Sequence, residues 1–194
     1  MKKFFAILLL INIVFNNANS IEADMFVQST VNRASEILSK NISKEKKMDG
    51  LKLIAKDTVD IIGIGNYSLS GARKNLSDDQ KIVYFDLFEN YFLKSFSSRL
   101  SEYTNPEIEV KGKKVLNKNY TIVNSVLIGT SERPEVNIDW RIYTKNPENP
   151  LIRDLIIEGL SLARTQKEEF SSIIQNNNGD INALFNALKN FASK

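Results

Sequence analysis

Val136-Asn137-Ile138-Asp139-Trp140-Arg141-Ile142-Tyr143 alternates without a fault. Val136, Ile138, Trp140 and Ile142 fall on one side; Asn137, Asp139, Arg141 and Tyr143 fall on the other. Successive strand side chains point to opposite faces, so this period of two predicts a strand with one face on a core and one in water. Such patterning belongs to antiparallel sheets. Just upstream, Tyr120 to Ile128 alternates again. Its set Tyr120, Ile122, Asn124, Val126 and Ile128 is more apolar than Thr121, Val123, Ser125 and Leu127, and is expected to face the core. Downstream, Ile152 to Glu158 reads as a third strand. Ile108 to Val110, joined by Val115, makes a fourth. The four prolines, at 106, 134, 147 and 150, all lie in this middle region. The flanks carry none and read as helix.

Asp24 to Lys40 bears a helical stripe of Phe26, Val27, Val31, Ala34, Ile37 and Leu38. Lys44 to Ala55 is a second helix, with Met48, Leu51 and Ile54 in register and Gly50 as a weak point. In Val59 to Tyr67, the Gly63-Ile64-Gly65 run is expected to end a short helix in a sharp turn. Ser77-Asp78-Asp79-Gln80 is a capping box, in which serine and glutamine each satisfy an orphan amide. Behind it Phe85, Phe88, Phe92, Phe96, Leu100 and Tyr103 share one face, widened by Tyr84, Tyr91 and Ile82. An ordinary surface helix needs an apolar arc of only about 100°. This broader aromatic arc suits a central helix that also walls a cavity. After Gly159, Phe170, Ile173 and Ile174 mark another helix. Asp180 caps a last one striped with Ile181, Leu184, Phe185, Leu188 and Phe191. Helices, then a curved antiparallel sheet of about four strands, then closing helices define an α+β domain. A curved sheet whose mouth is closed by helices is a cone, well suited to an apolar ligand.

The chain begins Met1-Lys2-Lys3, continues almost wholly apolar from Phe4 to Phe15, and reaches Ala18-Asn19-Ser20. This is the layout of a secretory signal peptide cleaved near Ser20, and its apolar core is far short of the roughly twenty residues that span a bilayer. The expectation is a signal peptide over 1–20 and a single domain over 21–194. Loss of Lys2 and Lys3 takes the formal charge from +3 to about +1. With no basic patch interleaved by aromatics, nucleic acid is not an expected partner. Lys44-Glu45-Lys46-Lys47 reads as a solvated helix face. The chain has no cysteine and no histidine. An exported protein without disulfides relies on its packed core. Without histidine or cysteine it lacks the commonest general base, the Ser-His and Cys-His pairs and the commonest metal ligand. No catalytic residue, metal site or cofactor is expected.

Three stretches together resemble one family. They are Asp60-Ile61-Ile62-Gly63-Ile64-Gly65-Asn66-Tyr67 with the aromatic helix behind it, Asp139-Trp140-Arg141-Ile142, and Asp154-Leu155-Ile156-Ile157-Glu158-Gly159-Leu160-Ser161. In this order and spacing the chain is similar to the MlaC family, the periplasmic toluene-tolerance auxiliary proteins. The resemblance implies an NTF2-like cone. It implies a phospholipid carrier in the periplasm of a Gram-negative bacterium, helping to maintain outer-membrane lipid asymmetry. The implied partners are an outer-membrane lipoprotein/porin complex and an inner-membrane ABC transporter with an MCE-domain subunit. Phospholipid is then cargo rather than cofactor, and a monomer is the form that docks at both ends.

The lipid-binding candidates on the helices are Ile64, Tyr67, Phe85, Phe88, Phe92 and Phe96. Those on the sheet are Ile122, Val126, Ile138, Trp140, Ile142, Leu155 and Ile157. The polar family marks Asp139, Arg141, Asp154 and Glu158 read as structural, in strand-face pairs, turn hydrogen bonds or a cap near Gly159. Two other readings stay open. One is an exported enzyme pairing Asp139 or Asp154 with Tyr67 or Tyr91. Alternation turns Asp139 outward, and Asp154 with Ile152 and Ile156. The other is a periplasmic interaction protein with a solid core and no lipid.

Overall fold

The computed structural model describes residues 20–193. The signal-peptide reading falls almost entirely on residues 1–19, outside the described residues. The described chain is α+β, with six α-helices and one antiparallel sheet of five strands in the order β1-β2-β3-β4-β5. The helices are α1 (Ala23–Ser39), α2 (Lys44–Thr58), α3 (Ile61–Leu69), α4 (Asp78–Leu100), α5 (Leu162–Asn176) and α6 (Ile181–Ser193). The strands are β1 (Ile108–Asn117), β2 (Tyr120–Leu127), β3 (Val136–Tyr143), β4 (Leu151–Ile157) and β5 (Leu160–Ser161). The fold class and the curved antiparallel sheet are as expected. The strand count differs. Ile108 starts one continuous ten-residue β1 rather than a short strand, and Leu160–Ser161 adds a fifth. Between β4 and β5, Glu158 (φ 48°) and Gly159 (φ 81°) both take positive φ, the backbone of a tight hairpin turn.

The capping box forms as read: Gln80 N donates to Ser77 Oγ, and Ser77 N donates to Gln80 Oε1. Ion pairs of Lys44 with Glu102 and of Lys56 with Glu89 show that α2 and α4 run antiparallel. At the start of α1, Lys113 reaches both Glu22 and Asp24. The Lys113 ammonium holds the Asp24 carboxyl below its ordinary 3.8, and Glu22 holds Lys113 above its ordinary 10.5. The Asp24 contribution is lost as pH falls through that lowered value; the Lys113 contribution is lost as pH rises through its raised one. No histidine titrates between them. The unfolding midpoint is therefore expected to stay flat from about pH 5.5 to about 8.5, as circular dichroism melts will test.

Three expectations are corrected. Gly63 and Gly65 do not end a helix; they lie within α3, which Asp60 opens by accepting from Gly63 N at 2.8 Å. Their task is close packing. A Cβ on Gly63 would lie 2.5 Å from Arg153 Nε, and one on Gly65 would lie 2.9 Å from the Phe88 ring. Tyr84, fully buried, donates its hydroxyl to Gly65 O at 2.9 Å. Gly65→Ala forces Phe88 to shift within a packed core, and a loss of about 1–3 kcal/mol is expected in denaturant unfolding.

The second correction concerns β2. Thr121, Val123 and Ser125 are buried, and they pair across from Ile142, Trp140 and Ile138. Ile122 and Val126 lie on the opposite face, across from Arg141 and Asn137. The polar serine is inward because the indole needs a partner: Trp140 Nε1 donates to Ser125 Oγ at 2.8 Å, and Ser125 donates to Ile138 O.

The third concerns β4. It gains one residue against β3 between Arg141 and Ile142, a bulge at Arg153. The bulge resets the phase, so Ile152 turns inward opposite Ile142, while Leu155 and Ile157 face inward beside Trp140 and Ile138.

Candidate apolar binding site

Burial along the inner sheet face falls toward one end. Val123 and Ile142 are 0% exposed and Ile152 is 5%. Further along the same strands, Leu127, Val136, Leu155 and Ile157 are only half-buried, as are Ile108 and Val110 on β1. The α4 arc runs the same way. Tyr84 and Phe88 are 0% and 1% exposed, whereas Phe92, Phe96 and Leu100 are half-buried. These open ends coincide in space. The Arg133 guanidinium, in the β2–β3 loop, lies 5.0 Å over the Tyr103 ring, just beyond α4. Ile128 N also donates to Glu107 O at 2.8 Å. One end of the domain is therefore a sealed core, and the other, the mouth, is ringed by half-buried apolar side chains, those of α4 on one side and those of β1–β3 on the other.

The aromatic side chains form a continuous chain toward that mouth. Phe88 lies 5.6 Å from Tyr84, 6.0 Å from Phe170 and 6.1 Å from Phe92, and Phe92 stacks on Phe96 at 5.8 Å. Two surface clefts of about 400 and 410 Å³ lie elsewhere. One is bordered by α1 residues alone and the other by Lys56, Asp60, Glu89 and their neighbours.

Of the lipid-binding candidates, Phe85, Phe88, Phe92, Phe96, Ile138, Trp140 and Leu155 belong to or pack on one apolar core, with Ile64 and Ile142. Ile157 shares its inward face. Ile122 and Val126 are on the other sheet face and do not join it. Tyr67 is 46% exposed, with Lys167 Nζ 5.3 Å above its ring. Sequence reasoning missed Ile108, Val110, Leu127 and Val136 at the mouth. The signal was present in the second alternating set of β2, which ends on Leu127.

Three of the four polar marks have structural duties, whereas Arg141 makes no such pair and its buried Nε has no hydrogen-bond partner. Asp154, 5% exposed, accepts from Ser161 Oγ at 2.6 Å and from Ala163 N at 2.9 Å, placing a carboxylate at the N-terminus of α5. Glu158 accepts from Asn137 N, and Asp139 from Asn124 Nδ2 at 2.8 Å. Arg153, not singled out in the sequence, ties β4 to α3 through Asp60 and lies 4.4 Å from the Tyr143 ring centre. Asp154→Ala leaves a half-buried hydroxyl and a buried amide without their acceptor. A stability loss of about 2–3 kcal/mol is expected in equilibrium unfolding.

Geometry and fold together define a class: a curved sheet capped by helices around an apolar interior that is less deeply buried at one end. Comparison with known proteins makes the class specific. The sequence model for the MlaC protein family matches residues 28–190. The chain belongs to the MlaC family. A solved phospholipid-binding protein from Ralstonia solanacearum, in complex with a phospholipid, superposes with a TM-score of 0.74 at 17% identity. The match covers 89% of this chain and 98% of that one, and shows a shared fold. The chain is also 32% identical over 110 residues to the NADH dehydrogenase-like protein YutJ of Bacillus subtilis (strain 168), covering 55% of this chain. It spans only 30% of that relative's length.

Among the described residues no helix is long and apolar enough to cross a membrane, and no cluster of acidic side chains could hold a metal ion.

Proposed function

We propose that this protein is a phospholipid carrier, exported on residues 1–20 and working in the periplasm. It receives lipid at an outer-membrane lipoprotein/porin complex and delivers it to, or collects it from, an inner-membrane ABC transporter with an MCE-domain subunit. It acts as a monomer and performs no chemistry on its cargo. The observation that carries this reading is the one-sided loss of burial, which leaves a rim of half-buried apolar side chains around an aromatic wall. Membership of the MlaC family supports it, as does the fold shared with a protein that holds a phospholipid.

The physical demand is large. Each methylene exposed to water costs about 0.8 kcal/mol, so two acyl chains face roughly 20 kcal/mol or more in crossing an aqueous gap. A carrier needs apolar walls that part around the chains, not acid–base groups. Opening requires the aromatic chain to loosen, with α4 moving from the sheet.

The enzyme reading finds little support in the geometry. Neither Asp139 nor Asp154 hydrogen-bonds a tyrosine: their partners are Asn124 in one case, Ser161 and Ala163 in the other. Tyr91 donates to Gln166 instead. The Gly63-Ile64-Gly65 run sits inside α3 against Arg153 and Phe88, without the strand-to-helix turn a dinucleotide phosphate loop needs.

The test is organic extraction of the purified protein followed by mass spectrometry. Near-stoichiometric phospholipid is expected. Protein that emerges clean and takes up none from vesicles overturns the reading.

A further inference from the structure

The mouth is apolar on its inner walls, yet one cation is fixed on its rim. Arg133 lies in the loop between Leu127 and Val136, which border the mouth on β2 and β3. Tyr103 lies between the end of α4 and Ile108 of β1, so the cation–π pair joins the two sides of the mouth. The loop is held tightly. Thr130 N donates to Arg133 O at 2.8 Å, and Glu132 N to Thr130 Oγ1 at 3.2 Å. A Cβ on Gly129 would lie 2.7 Å from Glu135 N. Arg133 itself is exposed, and no carboxylate among the described residues lies within 4.0 Å of its guanidinium.

A guanidinium stacked on an aromatic face keeps its edge free, and that edge carries paired N–H donors matched to phosphate oxygens. Contact with the ring also restricts the side chain, so less of its freedom is lost on binding. We infer that Arg133, positioned by Tyr103, binds the phosphate of a phosphodiester lipid whose acyl chains occupy the mouth. This rests on the carrier reading and adds a selectivity to it: phospholipids are held in preference to uncharged lipids with the same chains. The glycerol end of such a lipid meets the rim, where the phosphate stays hydrated while one edge meets the arginine.

The experiment offers the full domain vesicles holding equal amounts of phosphatidylglycerol and diacylglycerol with identical acyl chains. The protein is then re-isolated, and the ratio of the two bound lipids is read by mass spectrometry. The native protein is expected to favour the phospholipid. Arg133→Glu should lower the ratio at least about fivefold, Tyr103→Leu should lower it less, and Arg133→Lys should keep part of it. A strut that merely braced the mouth would change uptake of both lipids alike and leave the ratio alone. An unchanged ratio in Arg133→Glu that still carries lipid overturns this inference and leaves the carrier reading standing. Native protein that takes up neither lipid overturns both.

Discussion

Leu127→Asp is expected to leave the domain folded and to empty it of phospholipid. Leu127 is half-buried on the inner face at the mouth, so the carboxylate can stay wet while the site is vacant. Once acyl chains enter, that charge must be desolvated beside them. Leaving a polar group unpaired in an apolar setting costs at least about 2–3 kcal/mol, and a charge costs more. Uptake should therefore fall by roughly a hundredfold, measured as transfer of fluorescent phospholipid from vesicles. The matching change outside the mouth, Ile122→Asp on the other sheet face, should carry lipid normally. If Leu127→Asp loads as well as the native chain, lipid does not enter at this end.

Phe88→Ala acts on the fold instead. Phe88 is 1% exposed and touches Tyr84, Tyr91, Phe92 and Phe170, with Gly65 closing over it from α3. Removing a phenyl ring from such a site costs about 3–5 kcal/mol, from lost transfer energy and the void left behind. In a domain of this size the melting point should fall by roughly 6–20 °C. Loss near 1 kcal/mol would mean that the neighbouring rings collapse into the gap, so that this part of the interior is already loose. That result would bear on how the carrier opens. A lipid-loaded sample melted alongside the empty one would show whether acyl chains refill the space.

The sequence was most legible where one physical rule acted alone. Val136–Tyr143 is flanked by paired strands and follows strict alternation, so its inward face was readable directly. The capping box was a local pattern and appeared as read, and so did most of the aromatic arc of α4, although Ile82 at its edge is 70% exposed and Tyr103 falls beyond the helix end. Legibility failed where a distant partner decides. Ser125 turns inward because Trp140 on another strand supplies its hydrogen bond, which no count of apolar residues on β2 reveals. Gly63 and Gly65 look like helix breakers in one dimension; in three they make room for a guanidinium from β4 and a ring from α4. The mouth is a gradient of burial across β1, β2, β3 and α4, so no single segment displays it.

The strand order has a consequence for how such a protein survives at high concentration. A sheet that runs β1 to β5 without closing has two free borders, each able to recruit a strand from another molecule. At one border β1 is bulged, and Lys114, with Lys111 and Lys113 and their carboxylate partners, makes that edge charged, so a strand docking there would have to desolvate it. At the other, β5 is two residues long and turns straight into α5, leaving almost no ladder to extend. An open sheet is thereby kept from polymerising with its neighbours.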